Sequence, residues 1–255
     1  MNKNINKQYQ YWNTDESVVR YAQMDFSLYD IEKTFLLKAT ELLHKRVDQI
    51  SVLDLGCGGG RTTIPLFEMG YKIEGIDIAE NLINALKKKK PAVKAIVGDA
   101  MDMPYKDNTF DIVIFSHNSL DCMYPYSARK KTLKEINRVL KNGGFFIFSS
   151  HVFNFIPFDF SVLRNILMNL HRIPTLFVKG EGFYKEKMGN GDIVDLYASR
   201  KSNIQKELMR NNLNLISHSR IINNHKTLFE TSLRALVNWE RYYLAQKNYG
   251  KKIKK

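Results

Sequence analysis

Three aspartates, a glycine cluster and two histidines are the residues of this chain whose placement suggests chemistry. In "VLDLGCGGGRTTIPL" (52–66), Asp54 precedes Gly56, Gly58 and Gly60, and four glycines occupy the five positions 56–60. Such a cluster directly after an apolar run lets a ligand approach the backbone closely. Asp77 ends the run "YKIEGIDI", with Ile78 behind it, and Asp99 ends "VKAIVGDA". A carboxylate has two oxygens that can accept from paired hydroxyls, an amine or an ammonium group. His117 follows "IVIFS" and His151 follows "FFIFSS". Imidazole titrates near neutrality, so either ring can take a proton. Asn118 and Asp121 stand beside His117, where an acid can orient an amine or hydroxyl.

Two phosphate-binding patterns fail at the glycine cluster. A P-loop needs a glycine and then a lysine where this chain has Arg61 and Thr62. A dinucleotide turn needs a third glycine that packs helix on strand, and counting from Gly56 that position is Arg61. Arg61 itself reads as a surface pairing residue. Cys57 fills a variable slot and is expected to be chemically inert.

The elements that must position these residues follow from periodicity. "ISVLDLG", "YKIEGIDI", "VKAIVGDA", "FDIVIFSHN" and "FFIFSSH" read as strands, and the apolar runs among them are of the kind buried on both faces of a parallel sheet. Between them "TTIPLFEMG", "AENLINALKKKK" and "ARKKTLKEINRVLKNGG" have helical spacing and stop at glycine or Pro91. Upstream, residues 17–46 read as helical. After His151 the alternation breaks into an aromatic stretch and a glycine-containing segment with one strand. It resumes with "KSNIQKELMRNN", "LNLISHSRII" and "RYYLAQK". Alternating strands and helices predict an α/β, doubly wound, mostly parallel sheet. The chain reads as a single domain over 1–255, with an N-terminal helical cap (1–48) and an insertion at 152–200. That insertion follows the C-terminal edge of the fifth strand, where open α/β sheets bind ligands.

Composition excludes some classes. The chain has 255 residues and two cysteines, Cys57 and Cys122, too few for a disulfide framework or a zinc site alone. No apolar stretch reaches the roughly 18 residues of a spanning helix, and "MNKNINKQYQYWNTDE" has no apolar leader core. A cytoplasmic protein with reduced thiols is expected. The formal charge of +13 invites RNA. Much of the excess, however, sits in "KKKK" (87–90) and "KKIKK" (251–255), and solvated lysines account for it better. Nothing in the sequence specifies an oligomeric state.

The pattern Asp54-x-Gly56-x-Gly58-x-Gly60 in "VLDLGCGGGRT" resembles the first motif of class I S-adenosylmethionine-dependent methyltransferases. "IEGIDIAENLI", "VGDAMDMPYKDNTFDIVIFSHN" and "EINRVLKNGGFFIFSS" are similar to that family's later motifs, in order, over residues 50–150. "YYLAQK" is similar to its antiparallel last strand. The resemblance implies a Rossmann-like sheet of seven strands, S-adenosyl-L-methionine as cofactor, and methyl transfer to oxygen, nitrogen or carbon of a small-molecule acceptor. An RNA methyltransferase and a catalytically inactive cofactor-binding protein are the alternatives.

The resemblance also distributes roles. Gly56, Gly58 and Gly60 would cradle the methionine portion and Asp77, with Ile78, the ribose. Asp99, Ala100 and Met101 would hold the adenine, and Ser116 and His117 would lie near the sulfonium. Two roles stay open for Asp54, facing the ammonium group or capping the turn, and two for Asp99, an adenine contact or a helix N-cap. Tyr21, in a segment that often folds over the cofactor, is a further contact. His117 and His151 are candidate bases, each with a pocket-shaping or structural alternative. Asn118, Asp121, Phe153, Phe155 and Phe158 are candidate substrate contacts, the phenylalanines as an apolar lid. No acidic cluster for a metal can be assembled, so none is expected.

Overall fold

The computed structural model describes residues 12–14, 26–152, 178–187, 193–220 and 240–249. Helix α1 (Asp30–Leu43) leads to β1 (Ser51–Leu55), α2 (Thr63–Glu68), β2 (Lys72–Asp77), α3 (Glu80–Lys89) and β3 (Lys94–Val97). Next come β4 (Phe110–Phe115), a 3-10 turn (Ser119–Cys122), α4 (Tyr126–Val139) and β5 (Leu140–Val152). The hairpin β6 (Glu181–Lys187) and β7 (Ile193–Ser199), then α5 (Lys201–Arg210), β8 (Leu213–Arg220) and β9 (Glu240–Lys247), complete the order.

Seven strands form the expected sheet, β3-β2-β1-β4-β5-β9-β8, in which β9 alone runs antiparallel to its neighbours. All six residues of β4 are buried, as a strand covered on both faces requires. Residues of β5 alternate between two cores with the period of a strand. Phe146 and Phe148 pack with Leu133, Ile136 and Val139 of α4 and with Ile204 and Leu208 of α5. Phe145 and Ile147 pack instead with Phe35, Leu36 and Ala39 of α1. Each fully buried phenylalanine contributes about 1.5–3 kcal/mol, so β5 is the strand that binds the two layers together.

Residues 17–46 read as helical in the sequence, but among the described residues the helix runs only from Asp30 to Leu43, and two further elements differ from the sequence reading. Helix α4 ends at Val139 rather than at the glycines, and Lys141–Gly144 are taken into β5. The register shows why: Phe110 pairs with Leu140 but Ile112 pairs with Phe145, so the extra residues bulge out of the ladder. The second difference is a hairpin where one strand was expected. His151 pairs with Glu240 of β9 on one edge and with Ala198 of β7 on the other. Strand β7 thus occupies the edge that β4 leaves when it stops at Phe115, and the β6–β7 hairpin stands beyond the strand ends.

The lysine run is partly structural. Lys87, Lys88 and Lys89 fall in the last turn of α3, where cations suit the helix dipole. Lys89 lies 4.0 Å from the centre of the Phe26 ring, and Lys90 is 3.0 Å from Glu68. No helix among the described residues is long and apolar enough to cross a membrane.

Candidate functional site

A cavity opens at the C-terminal ends of β1, β2 and β4, lined by Asp54, Gly56, Gly58, Asp77, Ile78, Asp99, Ala100, Met101, Ser116 and His117. The glycine turn is sewn to β2: the amides of Gly56 and Cys57 donate to the Ile76 carbonyl at 2.8 and 3.1 Å. Asp77 fastens it further. Its Oδ2 accepts from the Gly58 amide and its Oδ1 from the Ala79 amide, each at 2.8 Å. Burial raises the Asp77 carboxyl, opposed by these amides. Each oxygen keeps a second lone pair for a ligand hydroxyl. Asp99 makes a local turn rather than a helix cap, its Oδ1 accepting from Met101 N at 2.8 Å.

Asp54 is buried, and its Oδ2 accepts from the Thr63 hydroxyl at 2.6 Å, tying β1 to the start of α2. Burial raises its carboxyl to about 7, against the Thr63 bond and the nearby Arg61. A cation brought into the cavity beside Asp54 lowers that value again, so binding releases a proton. Affinity for a ligand with an ammonium group therefore falls as pH drops through 7 and levels off above it. Titration calorimetry with S-adenosylhomocysteine in buffers of different ionisation enthalpy at pH 7 should show release of roughly half a proton. The Asp54→Asn variant should show none.

Gly60 does not face the cavity. It sits at φ +97°, and a Cβ there would come 2.5 Å from Leu86 Cδ1 and 3.2 Å from Ile64. Its absent side chain lets α3 and α2 close on the turn. Gly60→Ala combines left-handed strain with overpacking and is expected to lower stability in urea denaturation by about 2 kcal/mol or more.

Arg61, expected on the surface, is 9% exposed. Its Nη1 and Nη2 grip Glu32 of α1 at 2.9 and 2.6 Å, and its guanidinium lies 4.4 Å from the centre of the Tyr29 ring. Glu32 also accepts from the Tyr242 hydroxyl at 2.9 Å, from the Tyr29 amide at 2.8 Å and from Ser116. Burial alone would raise the Glu32 carboxyl; the Arg61 and Ser116 bonds outweigh it and hold it low. Ser116 lines the cavity, but its hydroxyl is engaged in this cluster. Sequence reasoning overlooked Glu32 and Tyr242. A signal existed: Glu32 shares one face of α1 with Phe35, Leu36 and Ala39, and an acid on an apolar stripe needs a buried partner.

At the end of β4, His117 and Asn118 take left-handed backbone angles, φ 54° and 56°, which turn the chain out of the sheet. His117 is exposed at the cavity. Asn118 and His151 adjoin it, Asn118 Nδ2 donating to His151 Nε2 at 3.3 Å. Asp121 does not face a ligand: it is 0% exposed and occupied by Arg129, Ser150 and His151. Its place as a substrate contact is therefore corrected to a buried partner of His151. Tyr21, Phe153, Phe155 and Phe158 lie outside the described residues. From the N-terminal segment Trp12 reaches the cavity wall, beside Asn13, which bonds Asn81 of α3 twice. Leu82, Phe115, Met123 and Tyr124 supply apolar wall that the sequence reading did not single out. Among the described residues, no group of three or more His, Cys, Asp or Glu side chains is placed to hold a metal ion.

Comparison with known proteins agrees with this geometry. Residues 53–148 match the family model described as a methyltransferase domain. The chain is 32% identical over 138 residues to a cypemycin N-terminal methyltransferase of a Streptomyces species, covering 51% of this chain and 55% of that protein. It is 40% identical over 101 residues to a demethylmenaquinone methyltransferase of Staphylococcus aureus (strain MRSA252), covering 37% of this chain and 40% of that protein. The chain thus spans about half the length, or less, of these curated relatives. Among solved structures, a SAM-dependent methyltransferase from Methanosarcina mazei aligns with a TM-score of 0.64 at 18% identity, over 89% of this chain and 100% of that one. Residues 53–148 are thus similar to a methyltransferase domain, and the sheet around them has the Rossmann-like fold of the solved S-adenosylmethionine-dependent methyltransferase with which the chain aligns.

Proposed function

We propose that this chain is an S-adenosylmethionine-dependent methyltransferase acting on a small-molecule acceptor. The observation that carries the reading is the charge of the cavity wall. Asp54, Asp77 and Asp99 line it, while Arg61, the one arginine or lysine among the described lining residues, is already neutralised by Glu32. Such a wall suits a phosphate-free nucleoside with an ammonium group and disfavours a pyrophosphate.

When bound, S-adenosylmethionine supplies an electrophilic methyl carbon on a sulfonium whose sulfur leaves neutral. The residues of this chain then have to bind, align and exclude water. Asp77 takes the ribose hydroxyls while its amide bonds hold the turn closed. Asp99, with Ala100 and Met101, takes the adenine edge, and Asp54 faces the ammonium group across Gly56 and Gly58. Trp12, Leu82, Phe115 and Met123 keep water from the cavity. His117 and Asn118 stand at the acceptor side.

The relatives' names, a cypemycin N-terminal and a demethylmenaquinone methyltransferase, support an acceptor other than RNA. The test is transfer of label from methyl-labelled S-adenosylmethionine in fractionated cell extract, with and without ribonuclease. Label in small molecules is expected. Ribonuclease-sensitive label would overturn the acceptor class, and failure to bind S-adenosylhomocysteine in calorimetry would overturn the reading itself.

A further inference from the structure

A run of four charged or titratable side chains crosses the interior behind the end of β4. Glu207 of α5 accepts from Arg129 Nε and Nη2, each at 3.0 Å. Arg129 of α4 donates from Nη1 to Asp121 Oδ1 at 3.0 Å and to the Leu120 carbonyl at 2.9 Å. Asp121 Oδ2 then accepts twice from His151, from its amide at 2.6 Å and from Nδ1 at 2.9 Å. Ser150 completes the carboxylate, donating to Oδ1 at 2.7 Å. Arg129 and Asp121 are fully buried, whereas the His151 side chain keeps 16% of its surface exposed.

The run ends in a ring of defined orientation. A carboxylate that accepts from Nδ1 holds the hydrogen there in neutral imidazole, and Nε2 becomes the basic nitrogen. Nε2 accepts from Asn118 Nδ2 at 3.3 Å, a long bond that an acceptor's own hydrogen can replace, and the chain neighbours of Asn118, His117 and Ser119, line the cavity. Two other groups face the ring. Glu240 is its cross-strand neighbour in β9 and interacts with its charge, and Tyr184 of β6 stands edge-on at 6.1 Å. With His151 protonated, the two acids Glu207 and Asp121 balance Arg129 and the imidazolium. With it neutral, one buried negative charge is left over. Uncompensated buried charge is costly, so this run favours the imidazolium as it forms.

We propose that His151 Nε2 receives the proton released by the methyl acceptor, with Asp121, Arg129 and Glu207 as positioning residues, so that the acceptor atom, nitrogen, oxygen or carbon, is one that loses a hydrogen on methylation. This rests on the methyltransferase reading above. An electron pair of the acceptor atom forms its bond to the methyl carbon, and the pair of that carbon's former bond stays on sulfur. The acceptor atom's proton passes to Nε2 and then to solvent. A thiolate acceptor would release no proton and would leave the run without a task.

Two measurements test this. In protein labelled with nitrogen-15 histidine and saturated with S-adenosylhomocysteine, His151 should show a pyridine-type Nε2 and a protonated Nδ1. Glu207→Gln, by leaving Arg129 less compensated, should lower the ring's titration midpoint by roughly half to one pH unit. The second measurement is label transfer from methyl-labelled cofactor to a peptide with a free N-terminus, a catechol and a small thiol. His151→Asn should cut amine or phenol labelling by about 100-fold or more while S-adenosylhomocysteine affinity holds. The opposite tautomer, an unmoved midpoint in Glu207→Gln, or thiol as the one labelled acceptor overturns the proposal. If the wild type labels none of the three, the tautomer and midpoint decide it. Absent cofactor binding would sink the methyltransferase reading separately.

Discussion

Replacing Arg129 with leucine is expected to lower folding stability by about 3–5 kcal/mol, the usual cost of removing one member of a buried ion pair. The side chain is 0% exposed, bonds Asp121 and Glu207, and stacks 4.1 Å from the centre of the Tyr197 ring. Leucine refills part of the volume but leaves two buried carboxylates without a counter-charge. Those acids should then hold protons in the folded state above their unfolded values. Stability of the variant should therefore rise as pH falls from 8 towards 5, and urea denaturation across that range reads it directly. Adding Glu207→Gln should recover part of the loss at pH 8, since one stranded charge disappears. A loss below about 1 kcal/mol would mean that water already reaches the pair.

Asp77→Ala should weaken S-adenosylhomocysteine binding by at least about 100-fold, with a smaller effect on thermal stability. Hydrogen bonds to a charged acceptor are worth about 1.5–3 kcal/mol each, and two ribose hydroxyls would lose theirs together. The variant also strands the Gly58 and Ala79 amides, so the glycine turn loses the strap that joins it to β2. Asp77→Asn separates these effects. It keeps one acceptor oxygen and should bind more tightly than the alanine variant but more weakly than the wild type. Calorimetry on the three proteins measures the order, and equal affinity in all three would remove Asp77 from the ribose site.

The elements that could be read from the sequence are those written in local pattern. β4 is a continuous apolar run, α3 spaces Leu82, Ile83 and Leu86 on one face, and the turn at Gly56–Gly60 follows a strand directly. What escaped lies in pairings between distant positions. Arg61 looked like a surface cation because nothing near it in sequence announces Glu32, 29 residues upstream. Asp121 looked like a ligand residue because Arg129 is satisfied partly by Glu207, 78 residues further on. The end of α4 was misplaced for a related reason. "KNGG" has the composition of a helix stop, yet the ladder with β4 extends across it through a bulge. The hairpin β6–β7 read as a single strand in the sequence, because its two strands gain their identity by pairing with each other.

The way β5 is shared has a consequence for how such a protein can change. Residues 145–148 of β5 pair with β4 and belong to the sheet that carries the glycine turn, whereas His151 and Val152 pair with β7. Among the described residues, two rungs of backbone join the hairpin to β5, and Tyr197 of β7 anchors it further in the core beside Arg129. A hairpin of different length or side chains could be exchanged there without disturbing Asp54, Asp77 or the turn between them. The molecule is divided along a single strand: one half of β5 is committed to the glycine turn, and variation in the other is bounded by His151 and by Tyr197 of β7.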